Sequence, residues 1–196
     1  MTSGNRIQIR PVTADRWDDL VELFGDRGAY GNCWCMWWRV TSADFERGIR
    51  NRGAGNRRAM RSIVAEGGVP GLLAYRDGRP VGWVSVAPRE EFGRLQRSPK
   101  LKAVDDRPVW SIVCFFMDRG ERGRGVGTAL LEAAVRHAAE QGATMVEGYP
   151  VDPSVRKFPN ADAYTGVVSM FRRAGFREVV RRGSRPIMRK RVRPRR

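Results

Sequence analysis

The sequence predicts one α/β domain built on a mixed central sheet of about six to seven strands, flanked by about four to five helices. Three observations predict it. Val109–Met117 is almost continuously apolar and rich in β-branched and aromatic residues, as in a strand covered on both faces. Beyond a loop of arginine and glycine, Val126, Ala129, Leu130, Ala133, Ala134 and Ala138 fall at i, i+3, i+4, i+7, i+8 and i+12. They form one apolar stripe of a helix ending near Gly142. Thr144–Val151 then reads as a second strand, and a strand reached by a helical crossover lies parallel to its predecessor.

The remaining elements follow in chain order. Ile7, Ile9 and Val12 mark a first strand, and Thr13 is placed to cap a helix with Trp17, Leu20, Val21 and Phe24 on its apolar face. A loop over 25–31 leads into Cys33-Trp34-Cys35-Met36-Trp37-Trp38. Thr41 or Ser42 opens a second helix, which Gly53 and Gly55 interrupt before a further helix carrying Ala59, Met60, Ile63 and Val64. Leu72–Tyr75 and Val81–Ala87 read as strands joined by Asp77-Gly78, a hairpin signal. Pro88–Arg107 is polar and suits a loop with a short helix. After the parallel pair, Pro150, Pro153 and Pro159 hold an irregular loop. Gly166–Ala174 reads as a short helix, Gly175–Val180 as a strand and Pro186–Val192 as its hairpin partner.

No linker or repeat divides the chain, so residues 1–192 are expected as one domain with a basic tail over 193–196. The longest unbroken apolar run, Ile112–Met117, is far too short to span a bilayer, and no apolar leader follows Met1. A cytoplasmic protein without a membrane partner is expected. Three cysteines and a single histidine, His137, argue against a disulfide framework, a histidine-based triad or dyad and a structural metal site. The net charge is +16, and of 37 basic residues all but Lys100, Lys102, Lys157 and Lys190 are arginine. The excess could serve coenzyme phosphates, an acidic partner or nucleic acid, but its scatter along the chain leaves at most nonspecific nucleic-acid binding.

The junction of strand, loop and helix carries the chemistry. Backbone N–H groups and the positive end of a helix dipole converge where the helix begins, and anions bind there. Gly123, Gly125 and Gly127 let a diphosphate approach the backbone, and Arg122 and Arg124 can add charge-assisted bonds. The spacing Arg122-x-x-Gly125-x-Gly127, with Gly175-Phe176 after a short amphipathic helix, resembles the coenzyme A motifs of the GNAT acetyltransferase superfamily. The order of elements is similar to that fold over essentially the whole chain.

The resemblance implies two central strands that splay apart to admit acetyl-CoA as acyl donor, with no metal. It places Phe116 and Met117 at the acyl end, Met117 offering its N–H to the thioester oxygen. Arg122, Gly123, Arg124, Gly125, Val126, Gly127 and Thr128 would hold the diphosphate. The family's frequent acidic tyrosine falls at Phe171, which has no proton to give, leaving Tyr164, water or an unassisted thiolate departure. Glu147, on the second parallel strand, can serve as general base or as a structural ion pair; Tyr149 shares its face at i+2. Tyr164 can be an acid or a packing or substrate-contacting residue. Trp34, Trp37 and Trp38 can line an acceptor pocket or plug the core, and Cys33 and Cys35 suit packing. Glu90, Glu91, Asp152 and Asp162 could meet a cationic substrate or remain surface charges. The expected activity is acetyl transfer to a primary amine of a small molecule, a metabolite or antibiotic, in a ternary complex, with Glu147 and Tyr164 as catalytic candidates and Trp34, Trp37 and Tyr149 as acceptor contacts. A protein N-terminal or lysine acetyltransferase, a non-catalytic coenzyme-binding regulator and a homodimer stay open.

Overall fold

The computed structural model describes residues 6–155 and 164–194; Lys157, Pro159, Asp162, Arg195 and Arg196 lie outside them. Among these residues seven strands form one sheet: β1 (Gln8–Pro11), β2 (Gly71–Arg76), β3 (Arg79–Pro88), β4 (Trp110–Met117), β5 (Met145–Gly148), β6 (Arg177–Arg182) and β7 (Arg185–Arg191). Their order is β1-β2-β3-β4-β5-β7-β6, and only β4 and β5 run parallel. Among the described residues the α-helices are α1 (Trp17–Phe24), α2 (Ser42–Gly48), α3 (Arg50–Ala65), α4 (Gly93–Arg97), α5 (Val126–Glu140) and α6 (Val168–Arg173). None is long and apolar enough to cross a membrane.

The hairpin at Asp77-Gly78 has both residues in the left-handed region, at φ 51° and 79°, whose twist matches the flanking strands. Thr41 caps α2 by accepting from the Asp44 N–H at 3.1 Å. Thr13 departs from expectation: its hydroxyl donates to Asp15 Oδ1, a 3-10 turn fills 14–16, and α1 starts at Trp17. The helical interruption falls at Asn51, Arg52 and Gly53, all at positive φ. Gly55 lies inside the helix, against Gly48, where a Cβ would come within 2.8 Å of the Gly48 Cα.

Packing divides by face. On one face α5 and α6 bury Ile112, Phe115, Leu130, Leu131 and Phe171. On the other, α1 and α3 bury Trp17, Leu20, Phe24, Met60 and Trp83. A third cluster near α4 joins Trp38, Phe92, Leu95, Val113, Tyr149 and Ile187.

One irregularity positions the site. In the β3–β4 ladder Ser85 faces Cys114 while Val86 faces Ile112, so Val113 is an extra residue. A bulge bends its strand. Immediately before it, β4 pairs with β5 through only Trp110–Val146, Ser111–Glu147 and Ile112–Gly148. From Val113 onward the two parallel strands part.

Candidate active site

The parting strands leave an open edge along the second half of β4. The Asp118 N–H donates to Val81 O of β3 at 3.0 Å. Successive amides in a strand point to opposite sides, so the Met117 N–H points away from β3, into the gap. The Met117 side chain lies against the start of α5, for a Cβ at Gly127 would sit 3.3 Å from its sulfur. Phe116 points to the other face, edge-on to Phe24 at 5.8 Å.

The loop before α5 is built for a close anion. Gly123 and Gly125 sit at φ 75° and 83°, a conformation glycine adopts without the steric cost of a side chain. No side chain caps α5, so the first-turn amides of Val126, Gly127 and Thr128 keep their donor capacity for a guest. Arg122 and Arg124 are exposed beside them. Part of Arg124 is already engaged, its Nη1 lying 3.3 Å from Glu121 Oε1. A pair that sequence reasoning missed props the loop from below. Buried Arg76 at the end of β2 donates to buried Glu121 at 2.9 Å and to the Arg124 carbonyl at 3.4 Å. These groups, with the gap, fit the diphosphate and pantetheine arm of a coenzyme A thioester.

Glu147 has no exposed surface, and both its oxygens are occupied. Oε1 accepts from Tyr149 OH at 2.6 Å and Arg89 Nη1 at 3.1 Å; Oε2 accepts from Arg189 Nε at 2.6 Å. Arg189 also reaches Asp105 at 2.8 Å, and Ser111 bonds the Tyr149 hydroxyl at 2.8 Å. Of the two readings of Glu147, the geometry is that of the structural ion pair: the carboxylate has no exposed surface and is held by two guanidiniums and a phenol. Tyr149 differs from its expected place as an acceptor contact: it is fully buried, its hydroxyl serves this network, and burial raises its pKa well above 10.0. Arg89 and Arg189, which complete the network, lie too far away in sequence to be read as partners.

On the face away from α5 lies a cavity of about 490 Å³ lined by Trp37, Trp38, Arg94, Leu101, Tyr164 and Arg185, among others. Trp38 and Leu101 belong to the same packed cluster as Val113, the bulged residue where the strands part. Trp37 stands at its edge with the Arg94 guanidinium stacked 3.6 Å from the ring centroid. Tyr164 lies 6.4 Å from Trp38, centroid to centroid. Trp34 is not brought here. It is buried under α1, stacked on Trp17 at 6.1 Å, because backbone at φ 42° turns its ring inward. Phe171 is fully buried, packing edge-on to Phe115 and Phe176, with its ring over Gly148, where any Cβ would collide with it.

The cysteines are free. Cys35 and Cys114 lie sulfur to sulfur at 3.8 Å, and a hydrogen bond from Cys35 lowers the Cys33 thiol to about 6. Glu91 pairs with Arg39 and Asp152 with Arg181, which occupies these two candidate acids. No group of three or more metal-ligating side chains gathers among the described residues.

A profile of the acetyltransferase (GNAT) family matches residues 34–158, more than half of the chain. No curated protein sequence matches it. Among solved structures the chain is similar to the PaiA N-acetyltransferase of Thermoplasma acidophilum in complex with coenzyme A, with TM-score 0.54 and 16% identity over 95% of this chain and 99% of that one. It is also similar to a GNAT-family acetyltransferase of Streptococcus agalactiae, at 0.56 and 14% over 96% and 97%. A ribosomal-protein-alanine N-acetyltransferase of Brucella melitensis aligns at 0.51 and 20% over 94% and 99%. At these identities the likeness shows a shared fold.

Proposed function

The chain belongs to the GNAT acetyltransferase family, the acyl-CoA-dependent N-acetyltransferases, and from that premise we propose that it transfers an acetyl group from acetyl-CoA directly to a primary amine of a small molecule. The observation that carries this is the parting of β4 and β5 after three residue pairs, with an uncapped α5 on one face and a cavity on the other. A volume of about 490 Å³ suits a small acceptor. Three free cysteines suit a reducing, cytoplasmic setting.

Acetyl-CoA supplies a thioester whose carbon accepts the amine and whose thiolate departs. The chain's part is to hold and polarise. The first-turn amides of α5 and Arg122 hold the diphosphate, fixing the acyl group along the open edge of β4. The Met117 N–H, directed into the gap, meets the acyl oxygen as negative charge develops there; a single donor of this kind contributes about 2.7–4 kcal/mol. The amine arrives from the cavity side, past Trp37 and Tyr164. A cluster of cations there disfavours the ammonium form, so the amine reaches the gap with its lone pair free. Tyr164, the phenol among the lining hydroxyls beside Ser42 and Ser98, gives its proton to the departing thiolate and is restored by the proton that the attacking nitrogen sheds. Glu147 acts by position, tying β5 to β7 and to Arg89.

Titration calorimetry with acetyl-CoA and with free CoA tests the donor site, followed by an amine screen that reads thiol release. Micromolar coenzyme affinity with amine-dependent release supports the reading. Coenzyme binding without release for any amine would leave the regulatory alternative, and no coenzyme binding would end the proposal.

A further inference from the structure

The acceptor cavity holds a charge that nothing in the described residues balances. Arg94, Arg97, Lys100 and Arg185 line it, and among the described residues no Asp or Glu does. Elsewhere buried arginines are matched with acids: Arg76 with Glu121, Arg89 with Glu147, Arg189 with Glu147 and Asp105. The cavity arginines are held instead by neutral acceptors. Arg94 Nε donates to Trp37 O at 2.7 Å and its Nη2 to Ser42 Oγ at 3.4 Å, with the guanidinium stacked on the Trp37 ring. Arg97 Nη2 donates to Val40 O at 3.2 Å. Arg185 Nη1 donates to Thr165 Oγ1 at 3.0 Å and Tyr149 O at 3.4 Å. Each bond fixes a guanidinium and leaves its positive charge uncompensated.

Arg94 and Arg185 are half-buried and Arg97 and Lys100 exposed, so the four like charges are held together at the mouth of the cavity within reach of an anion from solvent. Burial and the neighbouring Arg97 charge both lower the Arg94 pKa, the sign of like charges held together. An arginine fixed through carbonyls and hydroxyls retains further N–H donors in a planar fork, a shape that matches a carboxylate or phosphate. The cations approach from separate elements: Arg94 and Arg97 from α4, Lys100 from the segment after it, and Arg185 from the start of β7. Lys100 leans toward the β6–β7 turn, its Cε 4.0 Å from where a Gly183 Cβ would stand. Three thus come from the segment 94–100 and the fourth from the sheet, so the cations reach the same space from two parts of the fold. Trp37 and Trp38 add apolar wall.

We propose that the acceptor is a small primary amine that also carries a carboxylate or phosphoryl group, and that Arg94, Arg97, Lys100 and Arg185 select it by that anion. This rests on the acetyl-transfer reading above and names its substrate class. The anion docks among the cations while the amine, at the other end of the molecule, is presented to the gap. A diamine or other polycation is disfavoured, because the four cations repel it and the described lining offers it no carboxylate.

The test uses the full chain in two independent arms. Calorimetry with CoA checks the donor site alone. In the second arm, matched probes differ only in the anion: 4-aminobutanoate against 4-aminobutanamide, and 2-aminoethyl phosphate against 2-aminoethanol, with putrescine as the dication. Their binding to the CoA complex is read by tryptophan fluorescence and calorimetry, and their acetylation by thiol release. At least one anionic probe should exceed its neutral partner tenfold or more in affinity and in kcat/KM, with putrescine below both. Preference within the anionic pair separates a carboxylate from a phosphoryl acceptor. Arg97→Gln and Lys100→Gln, both at exposed positions, should each weaken binding of the anionic probe about threefold to tenfold, change binding of its neutral partner by less than twofold and keep CoA affinity intact. Equal handling of charged and neutral partners, or preference for putrescine, would overturn the proposal while leaving acetyl transfer standing. An acidic peptide that binds far better than any small probe would overturn the small-molecule class. If CoA fails to bind, the acetyl-transfer reading fails, and fluorescence with the same probes on the free protein still decides whether the cavity selects anions.

Discussion

Replacing Glu147 by glutamine separates catalytic from structural service at that position. The side chain keeps its shape and loses its charge. In the wild type one carboxylate faces Arg89 at 3.1 Å, Arg189 at 2.6 Å and the Tyr149 hydroxyl at 2.6 Å, with no exposed surface. Glutamine turns one acceptor into an NH₂ donor, which then opposes a guanidinium or the tyrosine hydroxyl. Breaking a buried ion pair by removing one partner costs about 3–5 kcal/mol. Arg189 keeps Asp105, and Arg89 keeps the Leu101 carbonyl at 2.6 Å, so the lower figure of about 3 kcal/mol applies. For a domain of this size that lowers Tm by about 6–12 °C. Calorimetry gives the Tm, and thiol release at a temperature well below it gives kcat/KM against pH. We expect the loss in Tm, a pH profile of unchanged shape and a fall in rate that follows coenzyme affinity. A Tm within about 2 °C of wild type, with kcat down 100-fold and the acidic limb of the profile gone, would refute the argument and make Glu147 the base.

Three further outcomes are expected. Gly125→Glu places a carboxylate in left-handed backbone at the start of α5, so coenzyme affinity should fall at least tenfold; unchanged calorimetry would displace the diphosphate from this loop. Phe171→Ala empties a fully buried aromatic site and should cost about 3–5 kcal/mol in denaturant unfolding; a loss below about 1 kcal/mol would mean the neighbouring rings collapse into the space. Burial holds the His137 imidazole below its usual 6.5, so the unfolded chain takes up its proton first and stability falls as pH drops through about 6.5. The Cys33 thiol, lowered to about 6, acts with the same sign in this range, so His137→Phe made in a Cys33→Ser background should flatten Tm between about pH 7 and 5.5 relative to Cys33→Ser alone. Asp105, Asp152 and Glu178 have lowered pKa values and lose their stabilising effect only in more acid solution, so an unchanged slope in this variant would refute the assignment to His137.

What the sequence made legible was local. The apolar run over 109–117, the glycine spacing and the stripe from Val126 to Ala138 each depend on neighbours within a few residues, and all appear where expected. The parallel pairing of β4 and β5 followed from the crossover rule. What escaped depends on long-range geometry. Glu147 and Tyr149 alternate correctly on one face, but whether that face meets solvent or two arginines is decided by segments 58 and 42 positions away. The Arg76–Glu121 prop spans 45 positions. Trp34, Trp37 and Trp38 lie within five residues of each other, yet positive φ at 34 and 35 turns the chain so that only Trp37 and Trp38 reach the cavity. The bulge at Val113 left no mark in a run where every residue is apolar.

The sheet is open, and its two ends decide what it can join. At one end lies β1, four residues long and closing on Pro11, which has no N–H to offer a neighbour. At the other lies β6, where Arg177, Glu178, Arg181 and Arg182 stand in six residues and the register slips between Glu178 and Val180. Short length, proline, charge and a bulge are the devices by which edge strands resist pairing with another chain. An eighth strand finds no regular ladder at either end. The protein can therefore keep its interior strands apart at the active site without exposing an outer rim on which copies of itself would stack into fibrils.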